Sequence, residues 1–213
     1  MFSTIPTRER RDLLIAWLAI SAAFMLIFIR GSQLFPETII FYFILSLLTV
    51  GVGFLVHEMA HKYMAIHYGY WAEFVKDSTM LTVAIAIAAL TGFVFAAPGA
   101  TMIYGERLSK RENGIISVVG PVSNLVLFAF FAILAYIALI FENGILLIIA
   151  TVGMQVNGML AAFNMLPIGN LDGGKVLAWN PITFGIVIVL AFAAVYVAVT
   201  GEITMLMVKL LYP

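Results

Sequence analysis

From Ile39 to Val56 the chain runs without a single charge, and the same apolar stretch then carries His57, Glu58 and His61 before continuing through Met64 to Ile66. A run of this length and character is read as a membrane-crossing helix, because only a helix pairs all of its backbone groups within one segment. On a helix, residues 57 and 61 stand about 40° apart and one turn above one another, so both imidazoles reach one point. Two imidazoles on one ion with a carboxylate beside them is the arrangement of hydrolytic zinc chemistry. Ionisable groups at membrane depth are costly and by default mark function.

The composition agrees with this placement. Hydrophobic residues make up 63% of the chain and charged residues 10%, with a mean hydropathy of +1.10, against roughly 45–50% and 25% in soluble domains. The expected fold is an all-α polytopic membrane protein, one membrane-embedded domain over 1–213 with a core at 38–177 and peripheral helices at 12–30 and 182–212. A formal net charge of zero gives no sign of nucleic acid as a partner, and nothing fixes an oligomeric state. The absence of cysteine excludes disulfides, thiolate ligands and thiol catalysis, which leaves His, Asp and Glu to hold a metal. The first apolar run ends at Arg30 without a small-residue cleavage pattern and is expected to remain as a first span.

Six apolar runs are long enough to cross: 13–29, 38–66, 80–97, 115–141, 145–166 and 182–200. A third ligand must lie on the same side as His57 and His61, and the chain offers three aspartates, Asp12, Asp77 and Asp172. Asp172 is the attractive one, since it follows Asn164-Met165-Leu166-Pro167 in backbone that Pro and Gly keep irregular, although an Asp before Gly173-Gly174 also suits an ordinary turn. Asp77 is the alternative to be tested against it. If 80–97 crossed, three crossings would separate His61 from Asp172 and set them on opposite faces. Residues 80–97 form the shortest of the intervening runs, and Thr82-Val83-Ala84-Ile85-Ala86-Ile87 alternates as a strand does. We expect a re-entrant or β-hairpin-like, membrane-dipping segment near 80–104, and five crossings.

The basic residues support the same count. With the N-terminus inside, Arg8, Arg10, Arg11, Lys62, Lys76, Arg107, Lys110, Arg111 and Lys175 fall on the cytoplasmic side and only Arg30 and Lys209 outside. The expected location is the plasma membrane, with N-terminus and site opening cytoplasmic. Water would enter past Lys62, Asn164 and Asn170. His67, ten residues after His57, lies where metzincins place a third ligand; without the Gly that turns the chain back, it is assigned to the interface.

Three motifs in order resemble the site-2 protease family of intramembrane zinc metalloproteases. They are His57-Glu58-Met59-Ala60-His61, Gly120-Pro121-Val122-Ser123-Asn124, and Asn164-Met165-Leu166-Pro167 leading to Leu171-Asp172-Gly173-Gly174. The resemblance covers about Gly51 to Leu177, three-fifths of the chain. Tyr70-Trp71-Ala72-Glu73-Phe74 and Ala97-Pro98-Gly99-Ala100 look like an archaeal branch of that family. The resemblance implies that His57, His61 and Asp172 hold Zn2+, that Glu58 is general base and later proton donor, and that Asn164 binds the scissile carbonyl or substrate backbone. It implies a transmembrane protein as substrate, met within the lipid bilayer.

Physical chemistry gives the same roles to the histidines and to Glu58. Zinc lowers the pKa of a bound water far below that of bulk water, toward about 7, and an adjacent carboxylate takes the proton as the oxygen attacks a peptide carbonyl. A substrate helix must unwind to expose that carbonyl, and a strand edge in the 80–104 segment could hold it by β-addition. A zinc transporter built on the His57/His61 pair would show repeated sites, which are absent here, and would give Glu58 no task. An inactive zinc-stabilised scaffold leaves Glu58 equally unexplained. Asn124, Gln155 and Asn157 are expected to make interhelical polar contacts.

Overall fold

The computed structural model describes residues 5–94, 99–105 and 108–211. Ala97, Pro98 and Arg107 therefore lie outside the described residues. The chain is an all-α polytopic membrane protein, with one small two-stranded sheet among the described residues. Its residues gather into two compact units, 1–105 and 106–213. Among the described residues, five helical segments are long and apolar enough to cross a membrane: 7–28, 36–67, 110–140, 144–164 and 181–200.

In the first unit, α1 (Thr7–Phe28) turns Glu9, Asp12, Leu13, Ala16, Ile20, Ser21 and Ala23 inward. Small residues along that face let α2 (Pro36–Ser46) and the following turn come close. Between α2 and α3 (Val52–His67), residues Leu47–Gly51 form a π turn within one continuous helical segment. A Cβ on Gly51 would lie 2.1 Å from Trp17 Nε1, so only glycine admits the indole, which donates to the Leu47 carbonyl at 3.2 Å. Thus α1 packs against the irregular turn that precedes the motif helix.

Strand β1 (Trp71–Lys76) pairs antiparallel with β2 (Gly99–Tyr104), from Trp71 opposite Tyr104 to Lys76 opposite Gly99. Between them lies α4 (Ser78–Thr91). The alternation at 82–87 is therefore not a strand. Asp77 starts a helix by accepting the amides of Thr79 and Met80 at 2.9 and 3.0 Å, and Gly92 ends it at φ 76°. The alanines interleaved with isoleucine support a helix as well as a strand, and the cap decides between them. The expected strand edge is real but sits at 71–76 and 99–104. At 14 residues α4 spans about 21 Å, short of the roughly 30 Å hydrocarbon core. The strands on either side of it are neighbours, so the segment leaves the sheet and returns to it.

The second unit holds α5 (Lys110–Ile140), α6 (Gly144–Asn164), α7 (Asp172–Trp179), α8 (Pro181–Thr200) and α9 (Glu202–Leu211). Ser109 and Glu112 form a capping box at the start of α5, and Asn143 caps α6 through the Leu146 amide. Helices α5 and α6 pack closely because Gly153 receives the Phe131 ring; a Cβ there would lie 2.3 Å from it. Asn124 donates to Asn157 at 3.0 Å and Gln155 to the Ala198 carbonyl at 3.3 Å, as expected of interhelical amides.

Candidate active site

Helix α3 is regular past its π turn, and its 3.6-residue period sets His57 and His61 on one buried face. Their Nε2 atoms lie 3.0 Å apart, with ring centroids 4.6 Å apart and planes at 84°. Two imidazole nitrogens this close, both buried, suit one shared cation. Imidazole is a common zinc ligand, so the donor set fits that metal. His57 sits ten residues from the end of α3, about 15 Å along the helix.

Glu58 is buried, and its carboxylate is held by β2. The Thr101 amide donates to Glu58 Oε2 at 2.9 Å, and the Thr101 hydroxyl lies 2.9 Å from the same oxygen and 3.1 Å from the Glu58 carbonyl oxygen. One hydroxyl hydrogen serves those two acceptors. One turn further along α3, Lys62 forms an ion pair with Glu9 of α1, and the Phe74 amide donates to the other Glu9 oxygen at 3.0 Å. The Glu9 and Lys62 side chains are 1% and 6% exposed. Lys62 therefore lines no open water route; its ammonium is enclosed with a carboxylate that compensates its burial.

The remaining candidates separate cleanly. Asp77 is exposed and engaged as the cap of α4, and His67 is exposed at the end of α3 with its ring 5.7 Å from Tyr68. In the second unit, Asp172 opens α7 as a buried carboxylate, 3.4 Å from Lys175 Nζ. It is held there by close backbone packing: a Cβ on Gly173 would fall 2.0 Å from the Met165 carbonyl oxygen. Asn164 ends α6 and donates to the Leu160 carbonyl at 2.9 Å.

Sequence reasoning paired His57 with His61 and set Glu58 beside them, but it missed Thr101 and Glu9. Thr101 carries no sequence signal, being an ordinary β-branched strand residue. Glu9 did carry one: a lysine inside an apolar helix directly after the motif requires a counter-charge, and Glu9 is an acid set between Arg8 and Arg10.

No family model matches the chain, and no solved structure matches it. Among curated proteins, "Putative zinc metalloprotease MJ0611" of Methanocaldococcus jannaschii is 42% identical over 182 residues, covering 84% of this chain and 88% of the relative. "Putative zinc metalloprotease YwhC" of Bacillus subtilis is 26% identical over 163 residues, covering 67% of this chain and 70% of the relative. With its paired histidines, its buried Glu58 and this similarity along most of its length, the chain belongs to the family of zinc metalloproteases that includes the archaeal protein.

Proposed function

We propose that the chain is an intramembrane zinc metalloprotease of the site-2 type, hydrolysing peptide bonds within or near transmembrane segments of membrane proteins. The observation that carries this is the buried His57-Glu58-His61 face on a helix long and apolar enough to cross a bilayer. His57 and His61 bind the metal through Nε2, and Asp172, a buried carboxylate at the start of α7, is the third ligand. Zinc, when bound, supplies Lewis acidity that makes a water acidic at neutral pH and polarises the scissile carbonyl.

The protein's own groups do the rest. Glu58 accepts the proton of the attacking water and returns it to the leaving amine. Asn164 binds the scissile carbonyl or neighbouring substrate backbone. Away from Thr101, whose outward amide is bonded to Glu58, the outer edge of β2 offers backbone donors and acceptors to an unwound substrate segment, so the peptide adds to the sheet as a strand. The N-terminus and the opening of the site face the cytoplasm at the plasma membrane, in keeping with eight basic residues on that side, the ion-paired Lys62 left aside, against two.

The test is Glu58→Gln in protein reconstituted with a transmembrane substrate. Proteolysis falls by about 10²–10⁴-fold while the metal stays bound. Undiminished cleavage, or metal transport that survives the change, refutes the reading and favours a transporter.

A further inference from the structure

One rung of the sheet is clamped between two carboxylates. Phe74 and Thr101 lie directly opposite in the register. Their amides both point outward, as in a non-hydrogen-bonded antiparallel pair. The Phe74 amide goes to Glu9 and the Thr101 amide to Glu58, at 3.0 and 2.9 Å. Glu9 is bound in turn to Lys62, which stands four residues from Glu58 on α3. Residues at that spacing are neighbours on one helix face. The contacts close a ring running from Glu58 through Thr101, Phe74, Glu9 and Lys62 and back along α3 to Glu58.

The ring constrains the Glu58 side chain. Glutamate has three side-chain torsions, and fixing one carboxylate geometry has an entropic cost that donors must offset. Both donors from Thr101 fall on Oε2, and among the described residues no hydrogen bond reaches Oε1. We propose that Thr101 is the positioning residue for Glu58, that it leaves Oε1 as the proton-accepting oxygen, and that the Glu9–Lys62 pair fixes the strands that carry it. This rests on the reading of Glu58 as general base. Glu9 and Lys62 act through the sheet and touch no reacting atom.

Three variants test it in reconstituted full-length protein, with cleavage kinetics, metal content and amide hydrogen exchange as readouts. Thr101→Val keeps the amide and the side-chain shape but removes the hydroxyl; kcat falls about ten- to a hundredfold, with KM and bound zinc unchanged. Thr101→Ser keeps both donors and restores kcat. Glu9→Leu combined with Lys62→Met replaces the buried pair without stranding a charge; protection of the Phe74 and Thr101 amides falls together, and kcat falls with it. Wild-type kcat in Thr101→Val, or failure of serine to rescue, overturns the proposal. Unchanged Thr101 protection in the double variant overturns the part assigned to Glu9 and Lys62. Full activity in Glu58→Gln removes the underlying reading instead, so the two failures are distinguishable. If the double variant does not fold, the Thr101 pair still decides the role of Thr101.

Discussion

The motif helix α3 and the α5–α6 pair both bury polar side chains in apolar surroundings, and they do so in opposite ways. Around α3 the groups are ionisable, and their partners come from far along the chain: Glu9 to Lys62, Thr101 to Glu58. Between α5 and α6 the groups are neutral amides: Asn124 meets Asn157, which donates back to the Gly153 carbonyl at 2.9 Å. Neutral amides hold helices together at small cost if they fail. A buried charge fails expensively when its partner goes, so it persists where a charge is needed. Buried ionisable groups are concentrated in the first region and neutral amide pairing in the second.

The largest test of that contrast is the metal. His61→Ala removes one of the two convergent nitrogens; bound zinc is lost and cleavage falls by about 10³-fold or more, several kcal/mol of transition-state stabilisation. Metal analysis of Asp172→Ala and Asp77→Ala extends this: the first loses zinc and the second retains it, since Asp77 is occupied as a helix cap. Loss of metal in the Asp77 variant alone would break the assignment.

Next comes the buried pair. Glu9→Ala strands the Lys62 ammonium and lowers stability by about 3–5 kcal/mol, read as a shift of the unfolding midpoint in detergent. Gly173→Ala drives a methyl into the Met165 carbonyl and costs about 1–3 kcal/mol through forced backbone movement. Asn124→Ala is the mildest, at about 0.6–1.7 kcal/mol, with cleavage retained. If Asn124→Ala proved as damaging as Glu9→Ala, the distinction between the two regions would collapse.

The spans were legible because hydropathy is a local property, and the histidine pair because its spacing matches the helical period. The segment after α3 was harder. Residues 68–78 fall between two apolar runs, yet they contain β1, whose partner strand begins more than twenty residues later; no local pattern announces such a pairing. Residues 82–87 read as a strand because β-branched side chains alternate there, whereas Asp77 and Gly92 cap a helix. Lys62 was counted by its side of the membrane, a rule suited to exposed lysines. Its partner lies 53 residues away, and that contact exists only after folding.

The π turn at Leu47–Gly51 acts as a phase key for everything downstream. A single π turn amounts to one residue more than an α-helix needs, and each residue advances a helix by about 100°. Removing one residue there would straighten the segment into continuous α-helix and swing the later faces about a quarter turn around the axis. His57, Glu58 and His61 would keep their mutual spacing while the whole triplet turned away from Thr101. The motif can therefore be intact as a string of letters and still be aimed wrongly, and the indentation that seats Trp17 against Gly51 is what sets the aim.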